Sequence, residues 1–204
     1  MKKKVNLIKT GVGNIGSVMR VINDLEYDVN LVSKKNEIDK NFKIILPGVG
    51  NFDTFINSLK INNLYKEIKK YVLEDNIKLL GICVGMQSLF ATSEEGEENG
   101  FGFINAECKK FVSNSLKVPH IGWNEINEIN NSVILDDVKK KLFYFAHSFH
   151  VDTQIEERYV LAKTRYSYDF PSIICKNNIY GVQFHPEKSF NQGHQIFKNF
   201  LEKC

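Results

Sequence analysis

The chain has 204 residues, 43% of them hydrophobic and 25% charged, with a formal net charge of +3. That length suits one α/β domain with a full core and is too short for two ordinary ones, and the composition is that of a globular chain rather than a disordered one. The lysines fall in short groups, Lys2–Lys4, Lys34–Lys35, Lys69–Lys70, Lys109–Lys110 and Lys139–Lys141, each diluted by nearby carboxylates, which reads as solvated surface rather than a nucleic-acid-binding face.

In chain order, 5–8 reads as a short buried strand. Residues 14–25 read as a helix, with Ile15, Val18, Met19, Ile22 and Leu25 at helical spacing. Strands follow at 27–32 and 43–46, the second ended by Pro47-Gly48. Helices are expected over 52–59 and 64–74, a strand over 78–82 and a helix over 84–91 directly after it. Short apolar strands alternating with helices predict a doubly wound, mostly parallel central sheet with helices on both faces. Beyond residue 100 the segments 101–111, 125–129, 143–152, 159–166, 172–176 and 179–184 read as β structure, a smaller antiparallel portion, before a closing helix over 192–201. There is no linker, repeat or low-complexity tract, so one domain over 1–204 is expected.

The opening Met-Lys-Lys-Lys-Val-Asn-Leu-Ile is too short and too interrupted for a signal peptide. No stretch approaches the roughly 18 apolar residues of a membrane span. A cytoplasmic protein without membrane contact is expected. The four cysteines, at 83, 108, 175 and 204, have no close partner in sequence, which argues against a disulfide framework or zinc site. A free thiol in a reducing compartment is available as a nucleophile.

The sharpest local feature is Gly81-Ile-Cys83-Val-Gly85, where a strand runs straight into a helix. It is the cysteine version of the nucleophile elbow. The tight turn strains the central residue and leaves no room for side chains two positions either side. N–H groups at the helix start favour a thiolate, and the Val84 N–H can face a developing oxyanion. A buried cysteine alone reads as core packing; the flanking glycines point to a nucleophile. Among the five histidines, His185 stands at the end of the strand 179–184, the edge where open α/β sheets bind ligands. Pro186 keeps it extended, and Glu187 is close enough to fix its tautomer. Alone, His-Pro-Glu reads as an exposed turn; with the elbow cysteine it completes a Cys-His-Glu set. His147-x-x-His150 is not expected to hold a metal, since residues three apart on one strand face opposite ways.

At these residues the sequence resembles the class I, or triad, glutamine amidotransferases: Gly81-Ile-Cys83-Val-Gly-Met-Gln87 is similar to their elbow and Phe184-His185-Pro-Glu187 to their His/Glu pair. Within that family, Gly11-Val-Gly-Asn14, Pro47-Gly-Val-Gly50, Pro119-His-Ile-Gly-Trp123-Asn124 and Phe143-Tyr-Phe-Ala-His-Ser148-Phe149 resemble most the glutaminase subunits of imidazole glycerol phosphate synthases. These segments span essentially the whole chain.

The resemblance implies Cys83 as nucleophile, His185 as general base and acid, and Glu187 as orienter. It implies an oxyanion hole from the backbone of Val49, Gly50 and Val84, and a grip on L-glutamine by Gln87, Glu95, Ser148 and Phe149, with Glu95 holding the substrate ammonium. It implies a cyclase (β/α)8-barrel partner in a heterodimer, faced by Gly11, Asn14, Trp123 and Lys188, with no metal or other cofactor. Two positions depart from the family pattern: Lys9-Thr10 stands where Asp-Tyr is usual, and Phe149 where tyrosine is common.

The first departure leaves open a paralogous subunit feeding a surface-sugar amidotransferase. A second alternative is a dinucleotide-binding module, since Gly11-Val-Gly-Asn-Ile-Gly16 fits Gly-x-Gly-x-x-Gly. That reading expects an acidic residue at the end of the second strand, where Val32-Ser-Lys-Lys35 stands with Glu37 only beyond it, and it leaves Cys83 and His185 unexplained. A third is a triad hydrolase or peptidase of the same broad fold, or an inactive scaffold subunit; Gln87, Glu95 and the Trp123 segment favour free glutamine over peptides.

Overall fold

The computed structural model describes residues 3–11, 13–113 and 115–204; Lys2 of the first lysine group and Val12 of the first-loop motif lie outside them. In chain order the elements are β1 (Lys4–Ile8), α1 (Ile15–Asp24), β2 (Asp28–Val32), β3 (Ile44–Gly48), α2 (Phe52–Ile61), α3 (Leu64–Leu73), β4 (Leu79–Cys83), α4 (Val84–Gln87), β5 (Phe90–Ser93), β6 (Ile104–Lys110) and β7 (His120–Glu125). They continue with β8 (Asn127–Glu128), β9 (Leu142–His147), β10 (Phe149–Val151), β11 (Val160–Tyr166), β12 (Tyr168–Lys176), β13 (Ile179–Val182) and α5 (Phe190–Glu202).

An eight-stranded sheet in the order β2-β1-β3-β4-β13-β12-β11-β8 forms the centre. It is parallel from β2 to β13 and antiparallel from there to β8. The parallel strands β1, β3 and β4 are apolar runs buried almost throughout, because helices cover both faces. The two faces separate at β13: a Cβ on Gly181 would meet Met86 of α4, whereas its neighbour Tyr180 lies edge-on to Phe200 of α5, ring centroids 5.9 Å apart. Successive strand residues point to opposite faces, so α4 and α5 lie on opposite sides. Two small sheets, β10-β6-β5 and the antiparallel pair β7-β9, stand beside the main one.

Several boundaries differ from expectation, each for a local reason. Strand β3 runs through Pro47 to Gly48 rather than stopping at Leu46. The Ile44 N–H donates to Lys78 of the β4 side and the Lys43 carbonyl accepts from Asn6 of β1. By alternation Pro47 faces the β1 edge, where pairing has already ended at Ile45, so its missing N–H breaks no ladder bond. The helix expected over 84–91 is the single turn α4. The Ser88 hydroxyl donates to the Gly85 carbonyl at 2.7 Å, and the carbonyls of Ser88, Leu89 and Phe90 accept from Phe101, Phe103 and Gly102. Those long-range bonds draw the chain off as β5.

Strand β7 was not foreseen, because its alternation is inverted: His120 is buried while Ile121 is 62% and Trp123 42% exposed. The single strand expected over 143–152 breaks at Ser148, where the chain leaves the β7 partnership for β6. The break cancels the argument that His147 and His150 face opposite ways, for both rings pack on Phe111, at 5.3 and 4.4 Å.

Among the described residues, no helix is long and apolar enough to cross a membrane. The C-terminal end of α5 is tied to the sheet by Lys43, whose Nζ donates to the carbonyls of Phe200, Leu201 and Cys204 at 2.8–2.9 Å. Replacing Lys43 by Met leaves three carbonyls without that charge-assisted donor. Urea denaturation of K43M is expected to show about 2 kcal/mol of lost stability with an unchanged m-value.

Candidate active site

Cys83 closes β4 and caps α4 with φ +55° and ψ −112°, a region that non-glycine residues seldom enter. Steric contacts around the turn show what holds it there. A Cβ on Gly81 would lie 2.6 Å from the Gly85 carbonyl oxygen, and one on Gly85 would lie 1.9 Å from that of Leu46 in β3. The first turn of α4 therefore sits directly on the β3 backbone, and only glycine fits at both positions. The α4 helix spans four residues, so local N–H groups rather than a long helix dipole act at Cys83.

His185 follows β13 and is fixed by its own backbone: its N–H donates to the Tyr144 carbonyl at 2.8 Å. Its carbonyl accepts from the Ser189 hydroxyl at 2.6 Å, and that hydroxyl accepts from the Tyr144 N–H at 3.0 Å. A short 3-10 turn over Pro186–Lys188 brings Glu187 back onto the ring, with Nδ1 2.8 Å from Oε1. The carboxylate thus takes the Nδ1 hydrogen and leaves Nε2 for Cys83, with which the ring is also hydrogen-bonded. Cys83 and His185 are each only 2% exposed. Burial alone lowers the His185 pKa; the Cys83 charge and hydrogen bond, then Glu187, outweigh it and raise the pKa to about 10. The arrangement is an imidazole ring set between the Cys83 sulfur and the Glu187 carboxyl group.

These groups open onto a cavity of about 480 Å³ that holds Cys83, Val84, His185, Val49, Gly50, Gln87, Glu95, Ser148 and Phe149 in its lining, together with Asn14 and Lys188. Larger concavities, of about 680 and 800 Å³, lie beside Trp123 and Phe190 and around Asn36. Neither is lined by a cysteine, serine or histidine, so chemistry rather than size selects the smaller one. Gly50, at φ +87°, takes a backbone conformation suited to glycine, and Gly13 of the first loop approaches Val49 beside it.

Glu95 accepts from the Phe52 N–H at 2.9 Å; burial, set against that bond and reinforced by Asp53, raises its pKa. Gln87 donates to the Phe149 carbonyl at 2.8 Å and to Gln183 Oε1 at 3.2 Å. Both hydrogens of its amide are thereby committed, so Gln87 presents no N–H to the cavity and instead braces the 148–149 turn. Asn14 caps α1, accepting from Ser17 N at 3.2 Å. Trp123 and Lys188 meet on Tyr144, at 5.9 and 5.5 Å from its ring, while Gly11 lies apart in the exposed first loop at φ +78°.

Sequence reasoning missed Gln183, fully buried, whose Nε2 points at Cys83 Sγ from 3.8 Å; its signal was a lone amide in an apolar strand. It also missed Phe190, 72% exposed and stacked flat on Trp123 at 5.2 Å, for which the sequence carried no signal.

The order of influences on His185 gives a measurable consequence. In a Cys83→Ala variant its largest raising influence is gone, and its pKa is expected to fall well below 10; in Glu187→Gln the fall is smaller. Nitrogen-15 NMR titration of the ring reads both. A pKa unchanged in Cys83→Ala contradicts the pairing.

The family model described as "Glutamine amidotransferase class-I" matches residues 6–204. A protein of Methanococcus maripaludis named imidazole glycerol phosphate synthase subunit HisH 2 is 40% identical over 202 residues, covering 98% of this chain and 100% of that one. A Leptospira interrogans protein named imidazole glycerol phosphate synthase subunit HisH is 38% identical over 201 residues, covering 96% and 98%. Among solved structures, PurLQS from Thermotoga maritima superposes with a TM-score of 0.76 at 17% identity, covering 98% of both chains, which speaks for the fold alone. On the family match and the full-length relatives, the chain belongs to the class-I glutamine amidotransferases.

Proposed function

We propose that the chain is the glutaminase subunit of an imidazole glycerol phosphate synthase, releasing ammonia from L-glutamine for a cyclase partner in histidine biosynthesis. The observation that carries the reading is the His185 ring shared between Cys83 and Glu187 on a cavity with room for an amino acid, in a chain similar end to end to relatives bearing that name.

In this reading Cys83 Sγ attacks the side-chain amide carbon of glutamine. Backbone N–H groups of Val84 and of Val49 or Gly50 take the oxyanion, each worth about 3–4 kcal/mol when aligned. His185 gives its Nε2 proton to the departing nitrogen and ammonia leaves. Water, deprotonated by the same nitrogen, then hydrolyses the thioester to glutamate. Glu187 holds the tautomer throughout. Glu95, half-buried and without an ion-pair partner among the described residues, gains a cation in the substrate ammonium, and Ser148 and Phe149 close the amino-acid end.

The cavity mouth is flanked by Asn14 and Lys188 and by the exposed face bearing Ile121 and Trp123, which suits docking of a (β/α)8-barrel synthase subunit in a cytoplasmic heterodimer, with Gly11 in the first loop toward the same partner. Gly13 beside Val49 supplies a route by which docking at the first loop sets the oxyanion N–H groups. Lys9-Thr10 in that loop favours testing a sugar-modifying partner beside the cyclase.

The test is reconstitution with each candidate partner. The isolated chain is expected to hydrolyse glutamine slowly, and the ligand-bound cyclase to accelerate it by at least about a hundredfold. Cys83→Ala is expected to abolish synthesis from glutamine while leaving synthesis from added ammonia intact. Full turnover without any partner contradicts control by the partner; glutamine-dependent synthesis surviving in Cys83→Ala contradicts the glutaminase reading itself.

A further inference from the structure

His120 and His147 take no part in the Cys83–His185–Glu187 line, yet both are buried and bonded to each other. His120 opens β7 and His147 closes β9, and the two are register partners, with His120 Nδ1 3.2 Å from His147 Nε2. Their surroundings are aromatic: His120 stacks on Phe145 at 4.8 Å and Tyr166 at 4.0 Å, and His147 lies against Phe111 and Phe170 at 5.3 and 5.4 Å. Apolar rings would fill such a box without burying polar nitrogens, so packing does not account for two imidazoles.

Their tautomers follow independently from both ends. His147 Nδ1 lies 2.8 Å from the Phe149 carbonyl; a carbonyl only accepts, so Nδ1 carries the hydrogen and Nε2 is bare. Asn124 Nδ2 lies 3.2 Å from His120 Nε2. The amide orientation is fixed by its other bonds, Nδ2 donating to the Arg165 carbonyl at 2.9 Å and Oδ1 accepting from the Glu125 N–H at 2.8 Å. His120 Nε2 is therefore bare, and its hydrogen sits on Nδ1, facing the bare nitrogen of His147. One directed chain runs from Asn124 through His120 and His147 to the Phe149 carbonyl. It requires both rings neutral, and burial favours that, lowering the His120 pKa to about 4 and that of His147 well below its usual value.

The chain ends at the cavity. His147 lines it together with Ser148 and Phe149, and the Phe149 carbonyl that His147 holds is the one that also accepts from Gln87. Ser148 is the residue at which the backbone passes from β9 to β10. Two side-chain donors converging on one carbonyl therefore set this turn.

We propose that His120 and His147 are positioning residues: a fixed-tautomer pair that holds the Ser148–Phe149 turn in place to grip the amino-acid end of glutamine. The proposal rests on the glutaminase reading and deepens it.

The test measures glutamine affinity of the full chain by calorimetry in a Cys83→Ala background, where substrate binds without turnover. Adding His120→Phe is expected to weaken binding about tenfold. Adding His120→Asn, whose amide Nδ2 takes the place of the Nδ1 donor, is expected to restore it to within about threefold. With Cys83 intact, His120→Phe is expected to raise KM by a similar factor with kcat nearly unchanged. Unweakened binding in His120→Phe overturns the proposal while leaving the glutaminase reading standing; failure of Cys83→Ala itself to bind glutamine overturns both. Independently of any substitution, nitrogen-15 NMR of the full chain is expected to show bare, pyridine-type Nε2 atoms on both rings, and a protonated Nε2 on His147 overturns the pair.

Discussion

The backbone at Cys83 holds a left-handed φ because the first turn of α4 lies on β3 with no space for a Cβ at Gly85. That contact depends on the parallel register that sets Leu46 beside Gly81 and Gly48 beside Cys83. The same register sets Gly181 of β13 beside Gly81, and the chain that continues from β13 delivers His185. Strain at one residue is thus held by three strands, and the Cys83 and His185 side chains arrive together because their strands are neighbours.

The electrostatics follow from that closeness. A histidine this buried would ordinarily be neutral, as His120 and His147 are held by the same burial. His185 differs because it faces a thiol on one side and a carboxylate on the other, which reverses the effect of burial. Burial thus sets His120 and His147 toward a neutral, fixed dipolar chain, whereas the Cys83 and Glu187 partners of His185 set it toward carrying charge.

The parallel half of the fold was readable because its strands are apolar runs and its helices have clear periodicity; β1, α1, β3 and β4 fall close to where pattern alone puts them. Cys83, His185 and Glu187 were readable because glycine spacing and a proline are local signals. What was hidden is non-local. The end of α4 is decided by bonds to Phe101–Phe103, and β7 by apolar residues turned outward. The break at Ser148 is decided by a change of partner strand, and with it the common packing of His147 and His150 on Phe111. Gln183 was passed over because a buried amide just past β13 shows its purpose only when its neighbour is known to be Cys83. Phe190 carries no local signal; its stacking on Trp123 exists only in the folded chain.

The central claim is that the buried Cys83 sulfur is a nucleophile aimed at the amide end of a bound glutamine. Incubation with an electrophilic glutamine analogue, followed by peptide mass spectrometry, addresses it directly. The account predicts a single modification on Cys83, suppressed by excess glutamine, with Cys108, Cys175 and Cys204 untouched. Labelling of another cysteine in preference to Cys83, or labelling of Cys83 that excess glutamine does not suppress, would contradict it.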